Sequence, residues 1–317
     1  VLVKGSNYLE ALASLGTVIF DKTGTLTKGV FEVNVVHPEK IDPETFLHMA
    51  AHVERYSTHP IAVSLRNAYP AEKDGCSVED VTEVAGQGVC AMVNGDKVCV
   101  GNSKLMDAEG AKWHPCEKPG TIIHMSINGE YVGHVVISDK IKDDAATAIS
   151  ALKAEGVERT VMLTGDHEDV AKSVAASLGL DEYHAELLPA DKVVWMEKIM
   201  SGTPAGRKTA FVGDGINDAP VLARADVGIA MGGLGSDAAI EAADVVLMDD
   251  KPSKIAAVIA VARRTLKIAR ENTIFAIGIK LLVLGLAGFG LAGMWLAVFA
   301  DVGVTVLAVL NAMRALR

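Results

Sequence analysis

The stretch that decides how this chain folds is Thr17-Val18-Ile19-Phe20-Asp21-Lys22-Thr23-Gly24-Thr25-Leu26-Thr27. Residues 17–20 are β-branched and aromatic without a polar break, which is the pattern of a strand buried on both faces. The run stops at an acid, and Gly24 lets the chain turn sharply just beyond it. A carboxylate in that position stands at the carboxyl end of a parallel strand, where open α/β sheets collect their ligands.

The same grammar recurs downstream. Residues 159–163 lead into Thr164-Gly165-Asp166, residues 208–212 into Gly213-Asp214-Gly215, and residues 227–230 into Met231-Gly232. Helical stretches at 143–155, 168–178 and 190–200 lie between them. Strand, polar loop and helix in repetition predict a doubly wound α/β sheet. Residues 33–137 interrupt it and are too many for a loop. They carry helical pieces (44–54, 60–68) and strand-like pieces (88–93, 96–100, 121–127, 131–137), so they read as an inserted α+β domain.

From Asn272 the sequence turns apolar. Ile274–Leu291 and Trp295–Met313 are each long enough to cross a hydrocarbon layer of about 30 Å at about 1.5 Å per residue. Gly288, Gly290 and Gly293 mark the turn between them. Basic residues precede the pair (Arg263, Arg264, Lys267, Arg270) and follow it (Arg314, Arg317), which puts both ends on the cytosolic side. The competing reading is a helical hairpin buried in a soluble core. Lys280 in the first span and Asp301 in the second are costly at that depth. Counted from the helix ends, Lys280 lies ~12 Å from the cytosolic side and Asp301 ~10 Å from the other, so a lysine side chain can reach the carboxylate.

Composition narrows the function classes. With 30 basic and 40 acidic residues the formal net charge is −10, which argues against nucleic acid as a partner. Cys76, Cys90, Cys99 and Cys116 show no CxxC spacing and read as reduced cytosolic thiols, with neither a disulfide framework nor a structural zinc site expected. The chain begins at Val1 without a Met or a basic leader, and is expected to be a piece of a longer protein.

The loop residues carry the chemistry. A carboxylate at a strand end can attack phosphorus and become an aspartyl phosphate, given cations and N–H groups around the transferring oxygens. Thr25 offers a hydroxyl. Asp214 can share Mg²⁺ with Asp21, since hard oxygen ligands suit that ion. Lys192 can neutralise phosphate charge, and Thr164 with Gly165 can bind its oxygens.

The three motifs Asp21-Lys22-Thr23-Gly24-Thr25, Thr164-Gly165-Asp166 and Gly213-Asp214-Gly215-Ile216-Asn217-Asp218-Ala219-Pro220, in this order, resemble those of the P-type ATPases. The resemblance covers essentially the whole chain. It implies an α/β, haloacid-dehalogenase-like, doubly wound phosphorylation domain with an inserted α+β nucleotide-binding domain, followed by a two-helix transmembrane hairpin. The expected boundaries are 1–16 for a stalk, 17–32 and 138–255 for phosphorylation, 33–137 for nucleotide binding and 256–317 for the last two spans. ATP and Mg²⁺ are the implied cofactors. Asp21 is the implied nucleophile, with Mg²⁺ held by Asp21, Asp214 and the Thr23 carbonyl. Lys192, Thr164 and Gly165 are implied phosphate contacts, and Asp166, Asn217 and Asp218 support them. Lys22 and Thr25 complete the catalytic set. Phosphatases of the same fold carry a second Asp two residues after the nucleophile; here Thr23 stands there, so the phosphoenzyme is expected to persist.

In the inserted domain, Glu54, Ser57 and His59 match the spacing seen in heavy-metal pumps, and Gly86, Gly88, Gly101 and Asn102 resemble that subclass's nucleotide-binding residues. The alternative for His59 is a structural histidine at a helix start. His37-Pro38 and His114-Pro115 read as ordinary turns. Asp139 and Lys142 resemble an Asp-x-x-Arg at the return to the first domain, with lysine in place of arginine. Lys280 together with Asp301, Gly303 and Thr305 resembles the zinc-, cadmium- and lead-exporting branch, with Asp301 as cation ligand and Lys280 as its counter-charge. The simpler alternative is a structural ion pair. Parts of a whole pump are expected outside this chain: an actuator domain, six earlier spans and a Cys-Pro-Cys. The resemblance implies a multi-pass protein of the plasma membrane, such as a bacterial inner membrane, with cytosolic catalytic domains. The alternatives are a pump for copper or cobalt, a membrane-anchored phosphatase of the same fold, and a nucleotide-binding module without turnover.

Overall fold

The computed structural model describes residues 1–55, 57, 59–69, 75–116, 118–214, 218–232 and 237–316. In chain order the strands are β1 Leu2–Val3, β2 Leu15–Asp21, β3 Thr27–Pro38, β4 Val78–Val84, β5 Gly88–Val93, β6 Asp96–Gly101, β7 Thr121–Ile127, β8 Glu130–Ile141, β9 Arg159–Leu163, β10 Glu182–His184, β11 Lys208–Gly213, β12 Val227–Met231 and β13 Val245–Leu247. The chain forms two compact units: Val1–Thr25 with Asp144–Gly165 and Leu178–Arg317, and Leu26–Asp143 with Asp166–Ser177.

The first unit is built on a seven-stranded sheet in the order β1-β13-β12-β11-β2-β9-β10. All neighbours are parallel except β1 against β13. Every residue of β2 is buried, as a central strand covered on both faces requires. The parallel arrangement brings the carboxyl ends of β2, β9 and β11 to one edge, with Asp21 in register with Leu163. Ile19, Leu163, Met196, Ile199, Phe211 and Leu222 pack together beneath that edge.

The second unit holds a six-stranded antiparallel sheet in the order β3-β8-β7-β6-β5-β4. Phe46, Ala50 and Val53 of the helix Pro43–Val53 and Leu65 of the helix Pro60–Ala68 pack into one core with Val89, Val98, Val100 and Ile123. A second cluster joins Cys90, Cys99 and Tyr131 to Leu105 and Met106 of the helix Ser103–Ala108.

Three expectations need correction. The insertion begins at Leu26 and ends at Asp143, not at 33 and 137, because β3 and β8 pair from Thr27 and Ile141 onward as one long ribbon. Within Val1–Gly16, Leu2–Val3 adds an edge strand to β13, and the helix Ser6–Ala13 follows, with Arg263 Nε donating to the Ala13 carbonyl at 3.0 Å. Cys90 and Cys99 are not reduced thiols but form a disulfide. They are register partners on β5 and β6, so pleat and register, not a CxxC loop, bring the sulfurs together. His37-Pro38 closes strand β3 and is not a turn.

The apolar C-terminal region is a helical hairpin. Its first arm is one continuous helix, Ser253–Gly288, and its second runs from Met294 to Ala315. Both are long and apolar enough to cross a membrane. Leu281, Leu284, Leu291, Trp295 and Val309 are among many large apolar side chains left exposed, which is unlike the buried hairpin of a soluble core. Asn272 Nδ2 donates to the Ala308 carbonyl at 3.0 Å and Asn311 Nδ2 to Asn272 Oδ1 at 2.8 Å, tying the arms at one end.

Phe211 is fully buried in the strand beside β2. Phe211→Ala is expected to cost about 3–5 kcal/mol of stability, read as a lower denaturation midpoint of the chain.

Candidate functional site

Asp21 ends β2, and the chain leaves it through a kinked loop in which Gly24 takes φ +71°. A Cβ on Gly24 would fall 1.5 Å from Asp214 Oδ2. Glycine is therefore required on two counts, the left-handed backbone and the approach of the Asp214 carboxylate over the loop. Lys192 rises from the first turn of the helix Pro189–Ser201. Its Nζ donates to Asp21 Oδ1 at 2.6 Å and to Asp218 Oδ1 at 3.0 Å. Asp21 and Asp218 are buried.

Burial pushes the Asp21 carboxyl up to about 6, the Asp218 charge adds to that, and Lys192 opposes both. Burial also raises the Asp218 carboxyl. For Lys192, burial works against the ammonium but the two carboxylates outweigh it and raise its pKa. Two carboxylates and one ammonium leave negative charge uncompensated in a medium where charge is costly. Asp21, Asp214 and Asp218 offer oxygens within 4.8 Å of one another, a hard donor set that fits Mg²⁺.

Thr25 is fully buried, and its hydroxyl oxygen has no hydrogen-bond partner among the described residues. Such an atom suits a ligand oxygen. Thr164 is buried just beyond β9, its N–H donating to the His184 carbonyl at 3.0 Å and its carbonyl accepting from Leu187 N at 3.1 Å. Lys22 is buried and Thr23 exposed. Gly165 ends a first-unit segment, and Asp166 opens the segment that groups with the second unit. Asn217 lies outside the described residues.

In the second unit, Glu54, His59, Gly86, Gly88, Gly101 and Asn102 line one cavity of about 290 Å³. Three of them also do structural work. Gly88 and Gly101 are register partners, and a Cβ on Gly88 would fall 2.2 Å from the Val100 carbonyl and one on Gly101 2.2 Å from the Gln87 carbonyl. Their bare backbones admit the adjacent chain. Asn102 Oδ1 caps the helix Ser103–Ala108, accepting from Lys104 N and Leu105 N, while its Nδ2 donates to the Gly86 carbonyl at 2.9 Å. His59 is also a helix cap: Nδ1 accepts from Ile61 N at 3.3 Å. That leaves the ring proton on Nε2, available to a ligand. The sequence reading missed Glu83 and Thr121, which line the same cavity; no local motif marks either.

Within the second unit, Thr27 Oγ1 donates to Asp139 Oδ2 and Lys142 N to the Leu26 carbonyl at 2.9 Å. In the hairpin, Lys280 Nζ lies 2.9 Å from Asp301 Oδ1. Asp301 sits in a single wide turn, Phe299–Gly303, and its carbonyl accepts from Thr305 Oγ1 at 2.7 Å. Such wide turns recur at functional sites in helices.

This parallel sheet, with a buried acid on its central strand and a lysine and two further acids around it, defines a haloacid dehalogenase-like domain, and residues 15–226 match the haloacid dehalogenase-like hydrolase family. The chain belongs to that family and, within it, to the heavy-metal branch of the P-type ATPases. It is 52% identical over its whole length to a cadmium, zinc and cobalt-transporting ATPase of Bacillus subtilis and 54% identical over 99% of it to a zinc-transporting ATPase of Synechocystis. It spans 45% and 44% of those two relatives. A crystal structure of a zinc-transporting PIB-type ATPase in an E2.Pi state matches all of this chain, and 52% of its own, at 38% identity and a TM-score of 0.88. The catalytic domain of the CPx-ATPase CopB-B matches 81% of this chain and 94% of its own at 32% identity, with a TM-score of 0.62.

Burial is the main cause that pushes the Glu54 carboxyl from 4.5 up to about 7, with the Ser57 hydrogen bond and Arg66 opposing it. The native chain therefore holds a proton on Glu54 that the unfolded chain has already released between those values. Stability from this group is complete below pH 4.5 and is lost as pH rises through 7. Glu54→Gln is expected to flatten that fall, which amounts to at most about 3 kcal/mol, in denaturant midpoints compared across this range.

Proposed function

We propose that this chain is the catalytic and C-terminal membrane portion of an ATP-driven pump that exports a divalent heavy-metal cation through an aspartyl phosphate on Asp21. The observation that carries the reading is the buried Asp21–Lys192–Asp218 cluster at the end of β2, with Asp214 drawn over the loop by Gly24. The free oxygen of Asp21 attacks the terminal phosphorus of ATP. The bond from phosphorus to the bridging oxygen breaks, ADP leaves with that electron pair, and Asp21 carries the phosphoryl group. Lys192 offsets negative charge at the acceptor, and Thr25, Thr164 and Gly165 supply donors to the phosphoryl oxygens. Mg²⁺, held by Asp21, Asp214 and the Thr23 carbonyl, supplies charge neutralisation and alignment when bound. Asp166, Asn217 and Asp218 position this shell. Thr23 cannot act as acid and base near neutral pH, so the phosphoenzyme outlives the chemical step.

The cavity holding Glu54, His59 and Gly86 accepts the adenosine portion of ATP, with Gly88, Gly101 and Asn102 as its scaffold. The hairpin crosses the plasma membrane. Asp301 serves as an oxygen ligand for the cargo, and Lys280 neutralises it when the site is empty. The names of the relatives favour zinc and cadmium, with cobalt in one of them; lead belongs to the same class of soft-to-borderline cations. The remaining spans, the actuator domain and the Cys-Pro-Cys thiolates are partners supplied by the rest of the protein.

In the complete transporter, Asp21→Asn is expected to abolish acid-stable, hydroxylamine-labile phosphate incorporation from labelled ATP. Phosphorylation surviving in this variant would overturn the reading. Asp301→Asn is expected to leave phosphate incorporation from inorganic phosphate intact while reducing zinc- or cadmium-stimulated ATPase by about 10²-fold or more. Unchanged metal stimulation would reduce Asp301 to a structural ion-pair partner.

A further inference from the structure

His37 on β3, His134 on β8 and His124 on β7 occupy one rung of the second unit's sheet, His37 opposite His134 and His134 opposite His124. The rings of His37 and His134 lie 5.0 Å apart between centroids. His134 is only 3% exposed. The Nε2 atoms of both His37 and His134 are buried and lack hydrogen-bond partners among the described residues. Two buried, unpaired imidazole nitrogens on paired residues are a costly arrangement unless a ligand completes it.

A hydrogen-bonded chain stands behind His134. Its Nδ1 lies 3.0 Å from the Tyr131 hydroxyl, which lies 3.0 Å from His124 Nδ1. The chain can run in either direction; with a cation bound it runs so that His134 Nδ1–H donates to Tyr131 and Tyr131 donates to His124. Nε2 of His134 then presents a lone pair, the arrangement by which outer-shell hydrogen bonds support a metal-binding imidazole. The third group is Cys116, a free thiol from the segment before β7. One ligand atom each from His37, Cys116 and His134 lies within 4.8 Å of the other two. A tetrahedral site with bonds of about 2.0–2.3 Å spaces its ligands roughly 3.3–3.8 Å apart, so closure needs movements of about 1 Å. The cluster opens on a cavity of about 640 Å³, with Glu39, His114 and Lys118 on its other walls.

We propose that His37, Cys116 and His134 form a binding site for one zinc-class divalent cation, with the fourth position open to the cavity. Two imidazoles and a thiolate select borderline ions such as Zn²⁺, Co²⁺ or Cd²⁺ over Mg²⁺ and Ca²⁺. The site is separate from Asp301 and from the Asp21 carboxylates, and it does not depend on the pump reading. Another cluster, His48, His52 and Cys76, also collects ligand types, but there Cys76 Sγ already lies 3.3 Å from His48 Nε2 and accepts from Asn94 Nδ2 at 3.1 Å.

The test is a titration of the whole 317-residue chain, purified in detergent with the Cys90–Cys99 disulfide kept closed and stripped by a chelator, with Co²⁺ in the absence of nucleotide. The expected result is a thiolate-to-cobalt charge-transfer band that saturates at one ion per chain and is displaced by Zn²⁺. Cys116→Ser is expected to remove the band and Cys76→Ser to retain it. Tyr131→Phe is expected to weaken Zn²⁺ binding by about 10–100-fold. A missing band, or one that survives Cys116→Ser, overturns the proposal. Should Cys116→Ser alter the melting of the metal-free chain, His37→Asn at the strand end gives the same reading: loss of the tetrahedral cobalt spectrum supports the site and its persistence overturns it.

Discussion

The contact between Lys192 and the two buried acids, Asp21 and Asp218, is the constraint around which the first unit is arranged. A carboxylate at the carboxyl end of a central strand has little water to stabilise its charge, so the fold must bring a cation to it. Here the cation comes from a helix 171 residues further along the chain. Holding it within 2.6 Å requires β2, β9 and β11 to stand side by side, the helix to start just beyond β10, and Gly24 to leave room for Asp214. The sheet is thus the frame of a charge cluster, and the cluster keeps an excess of negative charge that suits a hard cation and a phosphoryl group.

The second unit follows a different logic. Its sheet is antiparallel, its helices are capped by side chains, and residues that read as ligand contacts are partly consumed by the scaffold. Gly88 and Gly101 exist for each other, Asn102 fastens the Gly86 loop to a helix, and His59 spends one nitrogen as a cap. A cavity wall built this way is rigid before any ligand arrives, which lowers the ordering cost of binding. The functional and structural readings of His59 are therefore compatible, since each uses a different nitrogen.

Much of this was legible locally. The strand runs at 17–20, 159–163, 208–212 and 227–230 became β2, β9, β11 and β12, because four or five consecutive buried residues leave no other period to read. The six residues assigned to nucleotide contact came from three separate segments and meet in one cavity. Short elements such as β1, β10 and β13 escaped because two or three residues carry no period. The insertion boundary shifted to Leu26 because the ribbon pairs at Thr27, breaks register and resumes at Phe31, and such an interrupted start gives no continuous strand period.

By itself, the sequence determined whatever depends on neighbours a few residues apart: buried strands, the loops that end them, the apolar arms of the hairpin and the motif around Asp21. Only the tertiary structure decided which distant groups share a space. Cys90 meets Cys99, and His37 meets His134 and Cys116, through strand register. The physical reason is that strand register and hairpin closure are settled by the packing of whole faces, so spacing along the chain carries almost no information about which side chains finally touch.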